Sequence, residues 1–245
     1  MNLRSVTFSI AVCAGLVLNV QLVAVSASEN APELASARRA RDQADIAALS
    51  RLVEEASADA RRQNTAAAYQ RVAQLDLWLC EAGHVHNENK LIKKAAEDGI
   101  AASAKAVSLD ANSSEGHRLY GDLLGELIPH MTMGGMRYGK HAASELDKAV
   151  QLDPKNANAY VGRAIGYYFT PSAFGGSKDK AAEMLTQAIE TDPQCDRAHI
   201  WLARVYLAEG KHDDALTEIQ DALRIDPDRS FAKWVQQQIA AGRNK

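Results

Sequence analysis

Cysteine is scarce in this chain: three among 245 residues, at positions 13, 80 and 195. A disulfide-stapled scaffold needs a denser, even set, so covalent cross-links do not carry the fold. Cys80 and Cys195 read instead as unpaired, buried small residues. Surplus positive charge is missing as well. The 28 basic residues face 31 acidic ones, for a formal charge of −3, which leaves no electrostatic footprint for nucleic acid. No stretch alternates apolar and polar residues with the period of a strand, which argues against a sheet. Nor does the chain carry a Gly-x-Ser-x-Gly elbow, a His-Glu-x-x-His pair, a P-loop or a dinucleotide fingerprint. Catalysis and a bound cofactor therefore have no motif behind them. Proline is sparse, six in all, yet half of the prolines stand in one recurring context.

The leading segment has to be set apart first. Arg4 is the only charge before Glu29, and Phe8 to Val25 is almost wholly apolar, followed by the small residues Ser26 and Ala27. That pattern predicts a secretory signal peptide over 1–27, cleaved after about Ala27. The mature chain, 28–245, then works in the periplasm or outside the cell and carries no membrane span. An uncleaved anchor is the rival reading, since the apolar run approaches the ~18 residues a span requires; the small-residue exit favours cleavage. Val12 stands where a lipid-acceptor Cys13 would want a small residue, and no Arg-Arg pair marks a twin-arginine signal.

The recurring proline context is Ala149-Val-Gln-Leu-Asp-Pro154, Ala188-Ile-Glu-Thr-Asp-Pro193 and Ala222-Leu-Arg-Ile-Asp-Pro227. A degenerate copy, Ala106-Val-Ser-Leu-Asp-Ala111, precedes them. The last two prolines are 34 residues apart, the period of stacked helical hairpins. The other intervals are longer, 43 from Ala111 to Pro154 and 39 from Pro154 to Pro193. The extra residues fall in two glycine-rich inserts between paired helices, Leu127–Gly139 and Thr170–Ser177. The chain thus resolves into a degenerate N-terminal hairpin (31–62), repeat 1 (65–111), repeat 2 (114–154), repeat 3 (157–193), repeat 4 (196–227) and a capping helix (230–241). Pro32 opens the first helix, and Asp45 caps a second over Ile46–Ala60, striped by Ile46, Leu49, Leu52 and Val53. Thr65–Ala82 and Leu91–Leu109 form repeat 1, with Gly83–Glu88 as its turn. Gly116–Glu126 and His141–Leu152 flank the first insert, which Pro129 and Gly134-Gly135 keep from being one unbroken helix. Phe231, Trp234, Val235 and Ile239 share one face of the cap.

These residues resemble the tetratricopeptide repeat family. Repeat 4 places Leu202, Ala203, Tyr206, Gly210, Ala215, Ile219 and Ala222 at the family's signature positions; repeat 3 offers Ala164, Tyr167, Ala181, Leu185 and Ala188, and repeat 2 offers Gly121, Leu124, Ala142, Leu146 and Ala149. Repeat 1 departs most, with Asp76 where a small residue belongs and Gly99 where alanine does. Phe174-Gly175-Gly176, and Gly135-Met-Arg-Tyr-Gly-Lys140 before it, look like an exported bacterial type of the family. The resemblance implies an all-α, right-handed solenoid of antiparallel hairpins with capping helices at both ends. It also implies a non-enzymatic scaffold that holds a protein or peptide in its concave groove. Some relatives look like periplasmic partners of TRAP-type solute transporters, so a small-solute accessory of a transporter is an alternative.

In that family the first helix of each hairpin lines the groove. The lining here is Glu115, Arg118, Asp122, Gly125 and Glu126 in repeat 2; Asn158, Val161, Ile165, Tyr168 and Phe169 in repeat 3; and Arg197, Ile200, Arg204 and Leu207, with Ala208, in repeat 4. Their spacing keeps them on one side of each helix. The groove is expected to be charged toward its N-terminal side and apolar with two arginines toward its C-terminal side, a surface suited to an extended peptide or an anionic group. A second alternative is copper handling through His130, Met131, Met133 and Met136, soft ligands for Cu(I), weighed against methionine as filler holding the insert down. His84 and His86 read as a solvated turn rather than a zinc site. Phe174 reads as the anchor of its turn, with Lys178 and Asp179 starting the next helix.

Overall fold

The computed structural model describes residues 34–243, with side chains as far as Gly242. The leader at 1–27, its cleavage point and the helix start expected at Pro32 lie outside the described residues. The chain divides into two units between Arg39 and Ala40. Residues 34–39 are the described part of the first and are helical, in a helix (α1) that ends at residue 42. The second unit carries α2 (Ile46–Gln63), α3 (Ala66–His86), α4 (Asn89–Leu109), α5 (Ser114–Leu127), α6 (Gly134–Leu152), α7 (Ala157–Phe169), α8 (Lys178–Thr191), α9 (Asp196–Ala208), α10 (His212–Ile225) and α11 (Ser230–Arg243). Short 3-10 turns, Ile128–His130 and Ser172–Phe174, sit in the two inserts. There is no strand among the described residues.

Local chemistry starts and stops these helices. Asp45, Thr65, Ser113, Asn156 and Ser177 each accept the backbone N–H three residues on, an N-cap that satisfies one orphan donor. The Asp of the recurring closing mark ends the second helix of each hairpin. Asp110, Asp153, Asp192 and Asp226 are all extended, and each donates its N–H to the carbonyl of the alanine four residues earlier. Their carboxylates then accept the N–H of Asn112, Lys155, Gln194 and Asp228, two residues on, at 2.9–3.2 Å. That is a side-chain turn, and Asp110 makes it without a following proline. Ala106, Ala149, Ala188 and Ala222 have no exposed surface; a larger side chain there would hold the helices apart.

Paired helices α3/α4, α5/α6, α7/α8 and α9/α10 pack as hairpins, and each hairpin stacks on the next. The first helices α3, α5, α7 and α9 neighbour one another, and α11 continues their layer beside α9. Leu185, Ile200, Val205, Ile219, Val235 and Ile239 anchor the core of the last two hairpins and the cap, each at most 1 % exposed.

Two boundaries differ from expectation: α6 starts at Gly134, seven residues ahead of the expected His141, so the second half of the first insert is helical. Gly83 does not turn the chain: α3 runs on through His86 and ends at Asn87, whose left-handed backbone returns its N–H to Gly83 and His84. Gly83 is glycine because Ile92 of α4 packs on it, 2.5 Å from where a Cβ would sit. The Asp76/Gly99 exception in the same hairpin is reciprocal. A Cβ on Gly99 would lie 2.9 Å from that of Asp76 and 2.8 Å from Leu123, so the missing methyl on α4 accommodates the larger side chain on α3.

Candidate functional site

The middle of the concave face is occupied by the protein's own charges. Arg118 of α5 is 2 % exposed. It donates to Asp122 at 2.9 Å and to Gln74 of α3 at 2.7 Å, and pairs with Glu115. Arg197 of α9 donates to the same Asp122 oxygen at 2.8 Å. Gly162 of α7 clears the space, since any side chain there would strike Asp122 and Leu146. Arg229, in the turn before α11 and equally buried, donates to Glu81 of α3 at 2.6 Å and to Asp196 of α9 at 2.8 Å. Arg41 pairs with Asp226 at 2.7 Å, and the Ser230 hydroxyl donates to the Asp42 carbonyl at 2.5 Å. α11 also packs against α3. The inner layer of helices therefore closes on itself.

This redistributes the expected contact residues. Val161 and Ile200 have no exposed surface: the tight stacking of α7 on α9 puts them in the core, where they support the face from behind. Arg197 is committed to Asp122. Asn158 and Ile165 are half-buried. Tyr168, Phe169, Arg204 and Leu207 remain together, at the C-terminal ends of α7 and α9.

There Arg204 lies among aromatic rings. Its guanidinium carbon is 4.1 Å from the ring centre of Trp201, 5.8 Å from Trp234 and 5.9 Å from Phe169. The rings pack edge to face on one another, Tyr168 on Phe169 at 4.8 Å and Phe169 on Trp201 at 5.9 Å, and Phe231 stacks on Trp234 at 5.6 Å. Beside them opens a cavity of about 310 Å³ lined by Tyr168, Arg204, Leu207, Trp234, Val235 and Gln238, together with Ala208. Burial pushes the Arg204 guanidinium below its ordinary pKa. Arg118, Arg163, Arg197 and Arg229 each hold carboxylates, whereas Arg204 holds none among the described residues. Glu126, whose charge reaches it, is hydrogen-bonded to His84 at 2.7 Å. Burial opposes the charge on His84, but the bond to Glu126 and that carboxylate's field outweigh it and raise the pKa. His84 is thus tied across to α5 rather than loose in a turn.

Trp201, which packs on the Arg204 guanidinium, and Trp234 and Gln238, which line the cavity, were not legible as site residues in the sequence. The available signal was compositional: two of only three tryptophans fall within the last 45 residues, spaced to face the same arginine.

The inserts lie where first helices turn into second ones, at the same edge as the Arg204 cluster. The Thr170 carbonyl occupies the place of a Cβ on Gly176, and the Ile128 carbonyl that of one on Gly134. The helix is interrupted there as expected, between Leu127 and Gly134, and Gly134 begins α6. Phe174 is not the anchor expected. It is 79 % exposed, as Phe169 is 59 %, Met133 64 % and Met136 70 %; backbone hydrogen bonds hold its turn instead, Gly175 donating to Ser172, Gly176 to Pro171 and Ser177 to Tyr167. His130 and Met131 are half-buried, and burial lowers the His130 pKa.

Among the described residues one cluster has ligand-like spacing: His199, Glu218 and Asp221. His199 Nδ1 is bonded to Glu218 at 2.7 Å, and Asp221 pairs with Arg224 at 2.6 Å. His117 and Glu145 of repeat 2 occupy the same two repeat positions and bond at 2.6 Å, whereas repeat 3 has Tyr160 and Met184 there. A clamp between the two helices of a hairpin, used in alternate repeats, accounts for both pairs.

The tetratricopeptide repeat family matches residues 176–237. A thermophilic TPR protein of Thermus thermophilus superposes with a TM-score of 0.58 at 20 % identity, over 93 % of this chain and 96 % of that one. YrrB, a TPR protein with an unusual peptide-binding site, gives 0.43 at 18 % over 79 % and 93 %. PilF of Pseudomonas aeruginosa gives 0.45 at 17 % over 75 % and 74 %. No curated protein matches. The fold is an all-α solenoid of the tetratricopeptide kind; at these identities the likeness concerns the fold alone. No helix among the described residues is long and apolar enough to cross a membrane.

Proposed function

We propose that this chain is an exported, non-enzymatic binding protein that holds a peptide or protein partner at the edge of its solenoid. The working surface runs from the Arg204 cluster over Phe169 to the insert turns. The supporting observation is the exposure of Phe169, Phe174, Met133 and Met136 along the edge that carries Arg204, an arginine with no carboxylate partner among the described residues. Large apolar groups exposed together in a polar-surfaced protein mark interaction sites. The filled centre of the concave face argues against a peptide threaded through the middle. Export rests on the signal-like leader; cleavage is read by N-terminal sequencing of the protein recovered from the periplasm.

A photo-crosslinking residue at Phe169 or Phe174 is expected to trap a discrete partner in cells, while one at the outward-facing, exposed Lys148 traps none. Equal yields at all three positions, or none at the edge, would count against the reading. Co-purification of a small solute instead of a polypeptide would favour the transporter accessory.

A further inference from the structure

We infer that the two insert turns seat this edge of the solenoid on an anionic lipid surface, with Phe174, Met133 and Met136 entering its apolar boundary and Arg137, Lys140 and Lys178 meeting its phosphates. This goes beyond the partner reading, since it names the surface on which the edge works. None of the 31 acidic residues falls within 127–144 or 154–178, the two stretches that carry the inserts. The turns without an insert differ. That of repeat 1 ends on Glu88, and that of repeat 4 holds Glu209, with Asp213 and Asp214 opening the next helix. The inserts therefore bring apolar tips and bases to the edge, and no carboxylate ahead of Glu145 and Asp179, inside α6 and α8.

Order along the chain sets depth. Met133 caps α6 and Met136 lies in its first turn, with Arg137 and Lys140 each four residues further on. At 1.5 Å per residue, each base sits about 6 Å behind its methionine on the same face. Interfacial segments bury apolar groups roughly 5–10 Å into the headgroup boundary, so bases at that spacing come to lie among phosphates. Phe174 and Lys178, the latter opening α8, repeat the spacing in the second insert. Arg137, Lys140 and Lys178 are exposed and pair with no carboxylate among the described residues; Arg137 lies over the Tyr138 ring and Lys178 donates to the Ala208 carbonyl. Neither Phe174 nor either methionine lines the cavity beside Arg204. Side chains that stand out from close-packed turns need a partner that deforms around them. Lipid does so without a matching pocket, which favours it over an acidic polypeptide.

The probe is a vesicle of phosphatidylcholine carrying about a third phosphatidylglycerol, compared with phosphatidylcholine alone and titrated with the full chain. An environment-sensitive fluorophore attached through Met136→Cys or Phe174→Cys should shift to the blue on the anionic vesicles, and the same label through Lys148→Cys should not. Shifts are read against labelled wild type, in which Cys80 and Cys195 are buried. The readout is local, so it holds whether or not the leader has been removed. Arg137→Gln together with Lys140→Gln should weaken binding roughly tenfold or more, and raised salt should weaken it too. These side chains are exposed, so helicity and Tm should stay as in the wild type. No shift at the tips, equal shifts at the tips and at Lys148, or binding indifferent to phosphatidylglycerol would each overturn the inference. So would a shift produced by a soluble acidic amphipathic peptide and by no vesicle, which would make the edge one for polypeptides. Edge crosslinks in cells without a shift at the tips would sink the inference and leave the proposed function standing; a shift without crosslinks would keep the inference and remove the partner.

Discussion

Asp76 shows how much a single side chain can be made to do by its surroundings. It is 1 % exposed, one carboxylate oxygen has no hydrogen-bond partner, and burial, helped by the charge of Asp98, raises its pKa to about 8. A carboxyl whose folded pKa lies above its unfolded value stabilises fully below the unfolded value. That contribution is lost as pH rises toward the folded one. The chain should therefore lose stability between about pH 4 and pH 8, by on the order of 1 kcal/mol per unit in mid-range. Asp76→Asn should flatten that dependence, and urea denaturation at pH 5 and pH 8 measures it. A wild type as stable at pH 8 as at pH 5 would contradict the assignment. Gly176 is equally constrained by its neighbours. Gly176→Ala must displace the Thr170 carbonyl, so a loss of more than about 1 kcal/mol is expected, with weakened partner capture at Phe169 and Phe174.

Between one helix and the next, the closing aspartates divide the labour with their prolines. Asp110 forms the same turn as Asp153 although alanine follows it, so the carboxylate shapes the turn and the proline only stiffens it. Asp153→Ala should cost about 1 kcal/mol, the worth of the lost bond, and Pro154→Ala no more than that; thermal melts of the two variants decide. A larger loss from the proline change would reverse the ranking. Elements of this kind were legible in the sequence because they are local. Asp45, Thr65 and the Asp marks act within four residues of themselves, and the spacing of Leu185, Ala188, Ala215, Ile219 and Ala222 repeats from hairpin to hairpin. What the sequence hid depends on partners far along the chain. Gly83 looked like a turn because Ile92 is not its neighbour in sequence. Arg197 and Arg204 looked alike, seven positions apart on one helix, yet one meets Asp122 of another repeat while the other meets Trp234 of the cap. No local pattern distinguishes them.

Across the whole molecule, repeat arrays usually unfold piecemeal, because each unit touches only its neighbours. Here Arg229 joins the C-terminal turn to Glu81 of α3, 148 positions away, and Arg41 meets Asp226. The second unit should therefore melt in one transition. Breaking a buried pair from one side costs about 3–5 kcal/mol, and Arg229→Gln should do more than lower Tm. It should broaden the denaturant transition or split it in two, reading lower cooperativity. Fluorescence from Trp78 against that from Trp234, each left as the sole tryptophan, would follow the two ends separately. Coincident, equally steep transitions in the variant would show that the ends were independent of that bond.

An open coil can be lengthened by one turn without disturbing the rest, which is why such arrays gain and lose units readily. A coil pinned at both ends cannot. Copying the 34-residue unit between repeats 3 and 4 would carry Arg229 a full hairpin away from Glu81 and leave both charges stranded. Any chain that keeps this closure is consequently fixed in repeat number, and its diversity has to come from the turns along its edge.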